Sequence, residues 1–171
     1  MLCLFYQFRK QLFKQQQNTD PQKMPNNNDR AITNISHIEL PNNGINYLLV
    51  IGIDIYQSKN LPKLNNAVSD AKAFVNILQK RYTFQPINTT ELYNEQASVD
   101  NIDHAFQDLA DKISANDNLI IYFAGHGYLH KKNKNRTGYW MPHDATYSAG
   151  RLHRRSYISN TDIRNFIKDI N

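Results

Sequence analysis

A histidine set between two glycines, Gly125-His126-Gly127, directly after an apolar run is the arrangement in this chain best suited to proton transfer. Imidazole moves protons near neutral pH, and flanking glycines let a substrate chain approach closely. A partly buried histidine in a tight turn would have the same local sequence, so its place in the fold must arbitrate. A second apolar run ends in Asp54, followed by Ile55 and Tyr56. No second acid follows Asp54 directly, which counts against a phosphoacceptor pocket. Other chemistries fall on pattern. Gly52 stands alone, so there is no Gly-x-Gly-x-x-Gly dinucleotide fingerprint. There is no Gly-x-Ser-x-Gly elbow, and His126 and His130 lack both the intervening Glu and the helix of a zincin. Cys3 is the single cysteine, which excludes an internal disulfide framework and any multi-cysteine zinc site.

The elements that must position these residues follow from periodicity. Residues 47–53 and 119–124 are continuous apolar runs of strand length, as expected for strands buried on both faces. Between them, Val68, Ala71, Phe74, Val75, Leu78 and Tyr82 recur at helical spacing, with Asn65 or Asn66 available as N-cap. Residues 89–93 predict a short strand. Val99, Ile102, Phe106, Leu109 and Ile113 then step by three or four behind Ser98, a second N-cap. A Lys/Arg-rich loop, an extended piece at 139–142, and a last helix carrying Ile163, Phe166, Ile167 and Ile170 complete the series. Strands alternating with amphipathic helices imply an α/β fold: a mostly parallel sheet with helices on its faces. Ligands of such sheets bind beyond the carboxyl ends of the strands, where Asp54 and His126 stand. About three strands are legible, fewer than the usual four to six, so the sheet is expected to be incomplete at its C-terminal side.

Residues 15–46 are polar and rich in Asn, Gln and Pro, a composition that does not offset its own ordering entropy. They predict a linker. Ahead of them, Gln7, Arg9 and Lys10 interrupt the first apolar residues and no small-residue cleavage site follows, so the N-terminus reads as a tail or peripheral amphipathic segment. The expected division is therefore a tail and linker over 1–46 and a globular part over 47–171. Hydrophobic residues make up 40% of the 171, enough for a core. No run approaches the roughly 20 apolar residues of a membrane helix, so no membrane partner is expected. One cysteine suits a reducing compartment, which points to the cytoplasm. The 20 Lys and Arg exceed the 15 Asp and Glu by five. Basic clusters at 131–136 and 151–155 lie near Tyr128, Tyr139, Trp140 and Tyr157, which keeps a single-strand nucleic-acid-binding module as an alternative. No recognised nucleic-acid-binding signature accompanies them.

Tyr122-Phe123-Ala124-Gly125-His126-Gly127 resembles the histidine motif of the caspase-like cysteine peptidases, the caspases and metacaspases. Leu49-Val50-Ile51-Gly52-Ile53-Asp54 is similar to that family's first strand. Leu64-Asn65-Asn66-Ala67-Val68-Ser69-Asp70-Ala71 resembles its following turn and first helix, with Ser69 where metacaspases commonly have Asn. Thr90-Glu91-Leu92-Tyr93-Asn94-Glu95-Gln96-Ala97 and Tyr139-Trp140-Met141-Pro142-His143-Asp144-Ala145 resemble later segments, in the same order. The resemblance implies a three-layer caspase-like fold, a partial p20-type domain over 47–171, and a peptide or protein substrate cleaved by a Cys/His dyad. It assigns His126 as the catalytic histidine and the Gly127 backbone N–H as an oxyanion donor, with Asp70 and Ala124 in substrate binding. It implies no metal or organic cofactor in the reaction. Some metacaspases need calcium, but no acidic cluster stands out here to hold it.

The nucleophile is the gap in this pattern. In caspase-type sequences the histidine lies about 50 residues upstream of the cysteine, which puts the cysteine at roughly position 176. Cys3 precedes the polar linker and is assigned to no strand end, so the chain as given is expected not to hydrolyse peptides. The resemblance to metacaspases, which prefer Arg or Lys and use an acid that aligns with Asp70, implies a parent specificity for Arg or Lys. Residues 57–66 hold no arginine for an aspartate-directed pocket, and Lys63 offers only a point charge. A buried carboxylate at Asp70 would pair well with a guanidinium, although a first-turn acid is also explained by the helix dipole. A catalytically inactive caspase-like scaffold is the remaining alternative, and residues 131–136 offer a processing site after Lys or Arg.

Overall fold

An unbroken apolar run has no side to offer water, so a strand built from it must be covered on both faces. The computed structural model, which describes residues 2–8, 44–132, 135–148, 151–153 and 155–170, meets that requirement with a layered α/β arrangement. In chain order the elements are β1 (Leu2–Phe8), β2 (Asn46–Gly52), α1 (Ala67–Arg81), β3 (Thr89–Tyr93), α2 (Val99–Lys112) and β4 (Asn118–Gly125). There follow β5 (Gly127–Lys132), β6 (Asn135–Trp140), β7 (Tyr147–Ser148), β8 (Arg151–Leu152), β9 (Ile158–Ser159) and α3 (Asn160–Asp169). The main sheet has the order β1-β4-β2-β3, with β2 parallel to both β3 and β4. A smaller antiparallel sheet, β5-β6-β9, and the β7-β8 pair lie beyond it in sequence.

Strict alternation along β2 and β4 divides the core. Leu49, Ile51 and Ile53 join Ile121 and Phe123 on the side covered by α2 and α3, together with Ile102, Phe106 and Ile163. Leu48 and Val50 join Ile120, Tyr122 and Ala124 on the side covered by α1, with Ala67, Ala71 and Val75. The helices are thus on both faces, as the alternation of elements implies. Close approach of α1 is permitted by Gly52, where a Cβ would meet the Ala71 Cβ at 2.9 Å. At the lower edge the buried Asn46 amide donates to Thr83 Oγ1 at 2.6 Å and accepts from the Asn118 amide at 2.8 Å, which satisfies polar groups that burial would otherwise penalise.

Two elements depart from the sequence reading. Leu2–Phe8, expected as a tail, is a strand of the main sheet, antiparallel to β4 from Leu2 opposite Gly125 to Phe8 opposite Leu119. Pairing supplies β4 with a neighbour for its backbone hydrogen bonds, and nothing in seven local residues announces a partner more than a hundred positions away. The segment after His126, expected as a charged loop, is the β5–β6 hairpin, paired from Gly127 opposite Trp140 to Lys132 opposite Asn135. Its lysines masked a strand whose partner, not its composition, decides its conformation.

Candidate active site

His126 is the residue immediately after β4, half-buried at the carboxyl end of the sheet. Its ring is fixed by a bond between Nε2 and the carbonyl of Pro62 at 2.7 Å. A carbonyl oxygen only accepts, so Nε2 carries the proton and Nδ1 is left as the basic nitrogen of the neutral ring. Its backbone N–H donates to Tyr56 Oη at 2.6 Å, and the Tyr56 ring lies 4.9 Å from the imidazole, centroid to centroid. Burial pushes the Tyr56 phenol well above the usual range; the His126 N–H opposes this and the Asp54 carboxylate adds to it. This reach exists because residue 125 is glycine: a Cβ there would stand 2.8 Å from Tyr56 Oη and 2.9 Å from the Phe123 ring.

The loop that carries Tyr56 and Pro62 is itself tied down from three neighbouring segments. Asn94, after β3, holds a left-handed φ of 46° and accepts from the N–H groups of Asp54 and Ile55 at 2.9 and 3.1 Å. His143 donates from Nδ1 to the Ile55 carbonyl at 2.7 Å, and its own carbonyl accepts from Gln57 N–H at 2.8 Å. Asp54 accepts from Ala67 N–H at 2.8 Å, so this acid caps the start of α1, while Asn66 at the N-cap position makes no side-chain cap. Asp144 does the same for α2, accepting from Val99 N–H at 2.9 Å beside the Ser98 cap.

Gly127 is exposed at the start of β5. Met141 N–H donates to the His126 carbonyl at 3.1 Å. Bonded and non-bonded pairs alternate in an antiparallel ladder, so the next pair, Gly127 with Trp140, is non-bonded and directs the Gly127 N–H away from β6. Ala124 is fully buried within β4 and its carbonyl accepts from Ile53 N–H at 2.9 Å, so it holds the strand end and presents no side-chain surface. Asp70 lies in the first turn of α1 and is exposed, not the buried carboxylate expected; the helix face turned to the sheet is taken by Ala67, Ala71 and Val75. Cys3, assigned by sequence to no strand end, sits in β1 with its backbone opposite Ala124, two positions along the strand from His126. Tyr56, Pro62, Asn94 and His143 were not assigned site roles by sequence. The only signal was that they fall in the segments flanking strand ends.

A caspase domain model of the Peptidase C14 family matches residues 45–170. The chain belongs to the caspase domain family. This caspase domain is a protease by family, and its substrates as a class are peptides or proteins. A search of curated proteins finds no match to the chain. Among the described residues no group of three or more His, Cys, Asp or Glu is arranged to hold a metal ion. Among the same residues no helix is long and apolar enough to cross a membrane.

Proposed function

We propose that this caspase domain supplies the histidine half of a Cys/His site that cleaves peptide bonds after Arg or Lys. The observation that carries the reading is the bond from His126 Nε2 to the Pro62 carbonyl, which selects the tautomer with Nδ1 basic. In that state the ring takes a thiol proton at Nδ1, and the resulting imidazolium returns it to the leaving amine as the peptide C–N bond breaks. The exposed Gly127 N–H, turned away from β6, suits an oxyanion donor at the adjoining position. Ala124 serves by aligning the strand end behind these groups. The basic preference rests on Asp70, an exposed carboxylate in the first turn of α1 that makes no ion pair among the described residues.

The thiolate is not supplied by residues 44–170, which contain no cysteine. One observation favours a second reading: the β1 register brings Cys3, the only thiol in the sequence, alongside β4, the strand that His126 directly follows. Fluorogenic peptides ending in Arg, Lys or Asp, incubated with the whole chain, separate the two. No turnover above the His126→Ala background is expected. Turnover with an Arg or Lys peptide that is lost in both His126→Ala and Cys3→Ala would assign the nucleophile to Cys3. Preference for the Asp peptide, in hydrolysis or in competitive binding, would reject the basic specificity.

A further inference from the structure

Between α2 and α3 runs a groove of about 520 Å³ that the reactive rim does not use. Its floor is apolar: Phe106 and Phe166 meet with ring centroids 4.6 Å apart, flanked by Ala110 and Ile158. Its rim carries Asp100 and Asp103 from α2, and Asp162 and Asp169 from α3. Among the described residues no Lys, Arg or His lines it, although the chain as a whole has an excess of five positive charges.

The helices themselves account for only part of this acidity. Asp162 accepts from Ser159 N–H at 2.9 Å in the capping box of α3, and Asp103 accepts from the Gln107 amide at 2.7 Å. Asp100 lies in the first turn of α2, where the helix dipole favours an anion. Asp169 is the last residue of α3, where the dipole disfavours one. Neither Asp100 nor Asp169 has an ion-pair partner among the described residues. Four carboxylates around an apolar floor match a ligand with cations flanking large apolar side chains.

We propose that the α2–α3 groove is a docking surface for a basic polypeptide segment of another protein, with leucine or phenylalanine on the floor and lysine or arginine against the four aspartates. Its upper end lies at Val99, whose N–H is bonded to Asp144, next to the His143 that anchors the Tyr56 loop. A segment held there therefore leads toward the rim.

The test needs no turnover and is independent of the peptidase reading. A short fluorescein-labelled peptide with lysine and arginine flanking leucine and phenylalanine is titrated with the whole chain, and anisotropy is followed across salt concentrations. Binding is expected, weakening as salt rises. It should fall roughly three- to tenfold in the double variant Asp100→Asn with Asp169→Asn, as for loss of two partly exposed ion pairs. Both positions are helix-surface sites, so circular dichroism of the variant should match the parent. A peptide with serine replacing leucine and phenylalanine should bind more weakly than the parent peptide. The proposal is overturned by absence of binding at low salt, by equal binding to the double variant, or by equal binding of an acidic peptide. It is also overturned if sedimentation shows a dimer that the double variant dissolves, since the groove would then be filled by a second copy.

Discussion

The imidazole of His126 is positioned by contacts that come from elsewhere in the chain: the Pro62 carbonyl, 64 residues away, and the Tyr56 hydroxyl, 70 residues away. Tyr56 does double duty, accepting the His126 N–H and packing its ring beside the imidazole. Because burial raises its pKa, the folded protein keeps a proton that the unfolded chain releases at about pH 10. Its contribution is complete below that pH and is lost as pH rises through the folded value. Tyr93 behaves alike, raised first by burial and then by its bond to the Glu91 carboxylate. The expected outcome is a chemical-denaturation midpoint that holds level up to about pH 10 and falls as pH rises beyond it. Tyr56→Phe should make that fall shallower, at the expense of about 1–3 kcal/mol at neutral pH for leaving the His126 N–H without its acceptor. An alkaline slope identical in the variant would show that Tyr56 is not the group concerned.

At the level of elements, acids stationed on loops start helices they do not belong to. Asp54, at the end of the β2 run, holds the first N–H of α1, and Asp144 holds that of α2. Asp54 also donates its own N–H to Asn94 Oδ1, so the start of α1, the end of β2 and the turn after β3 form one unit. Asp54→Ala is expected to destabilise the fold by about 0.5–2 kcal/mol, the usual cost of a lost helix cap. It should also speed amide exchange in the first turn of α1, measurable by hydrogen exchange with mass spectrometry. Protection unchanged at Ala67 and Val68 would mean the cap is carried by something else.

For the whole molecule, the main sheet depends on β1. The β4 strand is buried at every position but its first, and β1 pairs with seven of its eight residues. Removing residues 1–8 would bare an apolar strand edge with unpaired N–H and C=O groups, the feature that templates association between chains. Deletion is expected to lower the thermal midpoint and to produce concentration-dependent association in light scattering. A monomeric deletion variant with an unchanged midpoint would show that β1 contributes nothing to holding the β4 edge.

Local chemistry in the sequence was enough to read the two central buried strands, the spacing of α1, α2 and α3, the Ser98 cap, and the placement of His126 just past a strand. Each of these depends on neighbours within a few positions, and periodicity records which side of an element meets the core. The motif order around His126 likewise points to the caspase domain family from sequence. Tertiary structure alone decided that Leu2–Phe8 joins the sheet, that the lysine-bearing segment after His126 is a hairpin, and that Asp70 faces solvent. It also decided the tautomer of His126, because that depends on a backbone carbonyl whose position no side-chain identity encodes. Strand partners and backbone acceptors are supplied by the fold, since every residue carries the same N–H and C=O and only three-dimensional proximity selects which of them meet.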